Sequence, residues 1–238
     1  MVKIDTHLKP PLYYQHHIMD PIIITLDGNI GAGKSTLLDA LREKISRITV
    51  LQEPVGEWLT MKNEKGESLL SLFYKDTSRW CYTFQNCAIL TRLIDTLKIL
   101  KTFKSDVEKP RIIVTERSVL TDRHVFAEML HKKGKMDALE WTLYNKWFDH
   151  FAAELPIKGI IHLATSADTA KTRIGIRGRA GEESIPLDYL EDLDEAHHAW
   201  IKSSTLPSLQ ITTEPGTNVD DVVKQVDDWI RATFEQHR

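Results

Sequence analysis

The chain reads as a three-layer α/β fold built on a five-stranded parallel sheet, and three observations carry that reading. Five short apolar runs, at 22–26, 48–51, 112–114, 159–163 and 209–211, lack the polar alternation of a half-exposed strand. Runs of that kind suit strands covered on both faces. Long helical stretches separate them, at 36–47, 67–103, 123–154, 188–202 and 218–236, as a strand–helix alternation requires. The first run also leads directly into a glycine-rich turn and a helix, and in such sheets ligands sit beyond the carboxyl ends of the strands.

Size and composition agree with this. With 238 residues, the chain can bury a sizeable core in one domain. Residues 1–20, with Pro10, Pro11 and three histidines, show no period and are expected to form a flexible arm. A single domain is expected over 21–238. A net charge of −3 supplies no general basic field, so nucleic acid is not an expected partner. Cys81 and Cys87 lie six apart on one helical stretch and read as reduced thiols. No apolar run is long enough to span a bilayer, and residues 1–20 lack the apolar centre of a signal peptide. A cytoplasmic protein with no membrane partner is expected.

The turn after the first strand is Gly28-Asn29-Ile30-Gly31-Ala32-Gly33-Lys34-Ser35-Thr36. This is G-x-x-x-x-G-K-S, a P-loop. Its glycines let backbone N–H groups turn in around phosphate oxygens, and the helix that follows adds its positive end. Lys34 can reach β- and γ-phosphates, and the Ser35 hydroxyl can ligate Mg2+. The motif predicts a bound nucleoside triphosphate but does not choose among a switch, a motor and a phosphotransferase.

The residues after the other strands narrow the choice. The second run ends in Gln52-Glu53-Pro54-Val55, with Trp58 nearby; the third ends in Thr115-Glu116-Arg117-Ser118, with Asp122 following. A base, a metal-shell carboxylate and a charge-neutralising arginine at one sheet edge are what phosphoryl transfer needs. On the stretch from 67, Tyr74, Cys81, Gln85, Ala88 and Arg92 fall on one helical face. That face reads equally as a polar pocket wall or as the cap of an apolar core; an amide such as Gln85 suits a nucleobase edge. After the fourth run, Arg173, Arg177 and Arg179 alternate with Gly175, Gly178 and Gly181, as in a mobile flap closing over phosphates.

Taken together, these motifs resemble the deoxyribonucleoside kinases over roughly residues 20 to 215. The set is the phosphate loop, Glu53-Pro54 with Trp58, Phe84-Gln85, Glu116-Arg117-Ser118 with Asp122-Arg123, and Arg177-Gly178-Arg179 followed by Ile185-Pro186-Leu187. The resemblance implies a three-layer P-loop kinase fold with an arginine-rich lid over about 173–187. It implies ATP as donor, Mg2+, a deoxynucleoside acceptor phosphorylated on its 5′-hydroxyl, and a homodimer. Glu53 would be the general base, with Arg117 positioning it, and Glu116 would join Ser35 around Mg2+. Arg173, Arg177 and Arg179 would clamp the phosphates already cradled by Gly28, Asn29, Gly31, Ala32, Gly33, Lys34, Ser35 and Thr36. Tyr74 and Glu182, preferred over Glu183, would hold the sugar 3′-hydroxyl. Gln85 would read the base among Trp58, Phe84 and Phe126, with Ile30, Val55 and Ala88 in the same substrate set. Arg92 and Asp122 stand where thymidine-preferring members carry apolar residues, so deoxycytidine, deoxyadenosine or deoxyguanosine is expected ahead of thymidine. Gly31 replaces an alanine typical of relatives, a change expected to be harmless.

Two other readings compete. A nucleoside monophosphate kinase shares loop and lid, but Glu53 would repel an acceptor phosphate. A catalytically silent nucleotide-binding subunit would have no use for Glu53, Lys34, Glu116 and the lid together. In that second reading the aromatics Trp141, Tyr144, Trp147, Phe148 and Phe151 would form an association face.

Overall fold

The computed structural model describes residues 21–105, 111–152, 154–179 and 181–235; the expected arm at 1–20 lies outside them. The strands are β1 Ile22–Gly28, β2 Ile48–Leu51, β3 Ile112–Glu116, β4 Ile157–Ala164 and β5 Ser208–Thr212. They form one sheet in the order β2-β3-β1-β4-β5, and every pairing is parallel. The three-layer α/β expectation is met. The run at 48–51 is β2 unchanged, and the other four lengthen by two or three residues, because strands continue through polar residues such as Asp27 and Glu116 where backbone partners persist.

Among the described residues the α-helices are α1 Lys34–Lys44, α2 Val55–Thr60, α3 Leu69–Lys75, α4 Thr77–Ser105, α5 Val119–Thr121, α6 Glu128–Lys132, α7 Ala138–Phe151, α8 Ala167–Arg177, α9 Leu187–Ser203 and α10 Val219–Ile230. Two wider π-helical stretches, Asp122–Ala127 and Arg231–Glu235, complete the list. Alternate β1 residues point to opposite layers. Ile24 and Leu26 pack with Leu37, Leu38 and Leu41 of α1 and Val222, Val226 and Ile230 of α10. Ile23 packs on the other face with Phe73, Phe84, Leu130, Tyr144 and Leu190. This double burial is why the strands carry no polar alternation.

Several expectations are sharpened or changed. The stretch from 67 to 103, which allows one helix or two, is two. Asp76 adopts a non-helical backbone, ending α3, and its carboxylate accepts from the Arg79 N–H to start α4. Tyr74 therefore belongs to α3, not to the face carrying Gln85, Ala88 and Arg92. Cys81 lies one turn before Gln85 on α4 but is buried in the core and lines neither of the cavities described below. Arg173 and Arg177 sit on a regular helix, α8, rather than in a loose flap; the flap begins at Gly178, which closes α8 in the left-handed conformation (φ 59°). The aromatics of α7 divide: Tyr144 and Phe148 are core, whereas Trp147 and Phe151 are half exposed.

The core holds a pair of buried histidines. His162 of β4 and His197 of α9 lie ring to ring, with centroids 5.6 Å apart. His162 Nδ1 and His197 Nε2 have no protein partner. Burial holds His162 down to about 4, helped by the neighbouring His198, and pushes His197 well below its ordinary value. Both are neutral in the folded chain, while in the unfolded chain they take up protons below about pH 6.5. The native state is then the poorer proton binder, so stability falls as pH drops from about 6.5 towards 4. Replacing His162 with glutamine is expected to flatten that slope by on the order of 2 kcal/mol, read by urea unfolding at pH 7, 6 and 5. An unchanged slope would count against a neutral buried pair.

Candidate active site

β1 is flanked by β3 on one side and β4 on the other, so the chain leaves it at the point where strand order reverses. The crevice at the carboxyl ends opens there. Gly33 enters α1 at φ 94° with no side-chain cap, which leaves the first N–H groups of α1 for an anion. Lys34 Nζ meanwhile donates to the carbonyls of Gly28 (3.1 Å) and Asn29 (2.8 Å). Burial, and then the charge of Arg117, lowers the Lys34 ammonium to about 7 against the pull of Glu116, Glu53 and Asp27. A phosphate would replace those carbonyls and restore its charge.

Gly31 is not interchangeable with alanine here. Its φ is 82°, and a Cβ would lie 2.5 Å from the carbonyl oxygen of Ala170 on α8. The glycine is what lets α8 press against the loop, a requirement beyond the wider backbone freedom expected of it.

Two cavities meet at this loop. The first, of about 220 Å3, lies between α4, the π-helical stretch and the ends of β2 and β3. Ile30, Glu53, Val55, Trp58, Tyr74, Phe84, Gln85, Ala88, Arg92, Arg117, Asp122, Phe126 and Glu182 all line it, so tertiary folding brings the whole substrate set together. Gln52 and Leu70 line it as well and were missed. Leu70 lies one turn before Tyr74 on the same face of α3, a spacing that offered a signal. Asp122 and Phe126 are four apart, and the wide π turn points both inward, as such turns do at functional sites.

The charge arrangement at the end of β2 is dense. Glu53 accepts from Arg117 Nη1 through both oxygens (2.8 and 2.9 Å) and from Arg92 Nη2 (2.9 Å). Burial alone would raise the Glu53 carboxyl, but Arg117, Arg92 and Lys34 outweigh it and hold it well below the usual carboxylate range. Arg92 also grips Asp122, with Nε to Oδ2 at 2.8 Å and Nη2 to Oδ1 at 3.2 Å, and donates to the Glu116 carbonyl at 2.7 Å. The Arg92–Glu53 contact was not anticipated, since spacing along the chain gives no hint that α4 crosses the end of β2. Beside this cluster the base-side wall is apolar. Phe73 stacks on Phe84, and Trp58 meets Phe84 edge-on. Trp58 Nε1 is tied to the Thr91 hydroxyl at 3.0 Å. Gln85 is 1% exposed, and its Nε2 has no protein partner.

The second cavity, of about 560 Å3, is lined by residues 31–36, Arg173, Arg177 and Arg179. Gly28 and Asn29, placed in the phosphate set, line neither cavity. Gly28 supplies a carbonyl to Lys34, and the Asn29 side chain ties the loop to the Leu190 carbonyl. Thr213, Thr217, Val219 and Val222, after β5, complete this cavity and were missed. They have no distinctive motif, and only the position of β5 beside β4 reveals them.

Between the cavities lies Glu182, 2% exposed, accepting from both Arg177 and Arg179 (3.0 Å for the latter). Glu183 is exposed instead. Burial, with the charge of Glu182, raises the Tyr74 phenol, which marks the two as neighbours. The lid rests on α3, and a Cβ on Gly181 (φ 91°) would lie 2.4 Å from Ser71 Oγ.

Ser35 Oγ donates to the Glu116 carboxylate at 3.1 and 3.3 Å. A hydroxyl and a carboxylate are hard oxygen donors, and two of them leave room for phosphate oxygens and waters, which fits Mg2+. Among the described residues no group of three or more histidine, cysteine or carboxylate side chains could hold a metal, and no helix is long and apolar enough to cross a membrane.

Comparison with known proteins follows the same line. A family profile described as "Deoxynucleoside kinase" matches residues 24–231. Human deoxycytidine kinase is 38% identical over 199 residues, covering 77% of this chain and 76% of its own. A probable deoxycytidine kinase of Fowlpox virus is 37% identical over 210 residues, covering 85% and 83%. The mitochondrial deoxyguanosine kinase of Xenopus laevis is 30% identical over 196 residues, covering 76% and 74%.

The close approach at Gly31 gives a test of its own. Gly31→Ala is expected to lower the melting temperature, at a cost of about 1–3 kcal/mol from the left-handed backbone and the Ala170 contact, and to weaken triphosphate binding. A variant that melts with the wild type would show that α8 does not press on the loop.

Proposed function

The chain belongs to the deoxynucleoside kinase family, and from that premise we propose that it transfers the γ-phosphate of ATP to the 5′-hydroxyl of a deoxynucleoside, with deoxycytidine, deoxyadenosine or deoxyguanosine ahead of thymidine. The observation that carries the reading is Glu53, ionised by two arginines at the mouth of the acceptor cavity and beside the phosphate loop. An acceptor phosphate would meet that fixed negative charge, which disfavours a monophosphate kinase. A silent subunit is likewise not favoured in this family.

The roles follow from position. Lys34 and the N–H groups of α1 hold the β- and γ-phosphates, and Arg173, Arg177 and Arg179 close on them from α8 and the lid. Ser35 and Glu116 would hold Mg2+, which offsets the charge gathering on the transferring group. Glu53 orients the 5′-hydroxyl and receives its proton. A carboxylate of low basicity suffices, because the transition state is loose and the hydroxyl proton leaves late. Tyr74 and Glu182 face the sugar 3′-hydroxyl.

Base preference rests on Gln85 and Asp122. The free Nε2 of Gln85 can donate to a ring nitrogen or carbonyl. Asp122, an acceptor held rigid by Arg92, favours a base with an exocyclic amine. Thymine offers no amine there and adds a methyl. A single domain over 21–238, a cytoplasmic setting and no nucleic-acid partner belong to the same reading. So does a homodimer, supported by exposed Leu90, Ile94 and Leu97 on α4 and by exposed Leu139, Leu143, Trp147 and Phe151 on α7.

Two measurements test this. ADP release with Mg2+, ATP and each of the four deoxynucleosides should give the lowest kcat/KM for thymidine; thymidine as the best acceptor would overturn the base assignment. Glu53→Gln should lower kcat by roughly 100- to 10,000-fold while ATP binding stays intact. Near-normal turnover would remove Glu53 from the chemistry.

A further inference from the structure

Arg117, the residue that grips Glu53 through both carboxylate oxygens, has a φ of 58°. It is the only non-glycine residue at positive φ among the described residues. For an L-residue with a Cβ that conformation is sterically disfavoured, so neighbouring contacts must hold it. On its N-terminal side, the Arg117 N–H donates to the Leu26 carbonyl at 3.0 Å and extends the β1–β3 ladder by one bond. On its C-terminal side the Ser118 N–H donates to Thr121 Oγ1 at 3.0 Å, and the Thr121 N–H returns a bond to Ser118 Oγ at 3.4 Å. The Thr121 hydroxyl spends its own proton on Asp27 Oδ1 at 2.6 Å. Asp27 Oδ2 accepts from Thr25 Oγ1, also at 2.6 Å.

Asp27 is fully buried on β1, immediately before Gly28, and lines neither cavity. Apart from its charge on Lys34, it has no place in the mechanism above. Its acceptance of the Thr121 proton fixes which way that hydroxyl faces. The lone pairs of Thr121 Oγ1 are thereby turned to the Ser118 N–H, and the peptide after Arg117 is locked.

Resting on the reading of Glu53 and Arg117 given above, we propose that Asp27 is a positioning residue for phosphoryl transfer: acting through Thr121 and Ser118, it keeps Arg117 in its left-handed conformation so that the guanidinium meets Glu53. It would thus tie the strand that feeds the phosphate loop to the turn that sets the base. The effect is on geometry at the reacting centre, not on affinity for either substrate.

The test uses Thr121→Val, Thr121→Ser, Asp27→Asn and the double variant Asp27→Asn/Thr121→Val, with rates expressed per folded molecule. Thr121→Val and Asp27→Asn should each lower kcat by about 10- to 100-fold, the range for misplacement of about an ångström. In Thr121→Val, which leaves the Asp27 charge on Lys34 in place, KM for ATP and for the nucleoside should stay within about threefold. Thr121→Ser keeps the hydroxyl and should recover kcat to within about threefold. The double variant should lose no more than the worse single one, because both break the same chain. A role in packing alone predicts otherwise: a lower melting temperature with unchanged kcat per folded molecule, or equal losses in Thr121→Ser and Thr121→Val. Either result overturns the proposal, as do losses that multiply in the double variant. If Thr121→Val does not fold, Asp27→Asn decides alone. A wild-type chain inactive on every deoxynucleoside would overturn the kinase reading and this proposal with it. An active wild type whose Asp27→Asn variant turns over normally would sink only the proposal.

Discussion

A carboxylate almost removed from water must be matched by charge, and the match for Glu53 organises this molecule. Left unpaired, a buried carboxylate would take up a proton. Two arginines prevent that, Arg117 from the end of β3 and Arg92 from the middle of α4. Neither can be supplied locally, since one stands 39 and the other 64 residues along the chain. To meet them, β2 must lie beside β3, and α4 must cross the carboxyl edge of the sheet. Arg92 in turn needs Asp122 to balance its second face, and that places the π-helical stretch. A buried ion cluster of this kind adds little net stability. What it secures is one geometry and a carboxylate that stays ionised.

The lid shows the same economy of charge. Arg177 and Arg179 line the cavity beside the phosphate loop, and both also grip Glu182, which faces the acceptor cavity. One carboxylate is therefore shared between the two sites. On the proposed reading, phosphates would compete for the arginines and a sugar hydroxyl for the carboxylate, so occupancy of one site would be felt at the other. Gly181 against Ser71 seats the tip of the lid on α3, the helix that carries Tyr74. Lid position and the α3 wall of that cavity are thereby joined.

Much of the site was legible because its signals are local. The glycines, Lys34 and Ser35 of the phosphate loop are contiguous, and their geometry follows from a strand, a turn and a helix. Glu53, Glu116 and Arg117 stand directly after apolar runs, so a parallel sheet delivers them to one edge. What was missed depended on contacts between distant segments. Tyr74 was assigned to the wrong helix because the break at Asp76 comes from a single side-chain bond to Arg79, not from glycine or proline. That Gly31 has no room for a Cβ depends on α8 standing against it. Thr213, Thr217, Val219 and Val222 join the phosphate side only because β5 pairs with β4.

The amino-acid sequence by itself determined the strand–helix alternation, the phosphate loop and the residue types at each strand end, because these rest on short-range periodicity and local backbone conformation. Only the tertiary structure decided which charges neutralise which. It joined Arg92 to Glu53, set Arg177 and Arg179 on Glu182, and hung the left-handed Arg117 on a chain of hydroxyls leading to Asp27. Those pairings depend on the register of strands and on the crossing of helices, which no local pattern encodes. They are settled by the requirement that every buried charge find a partner.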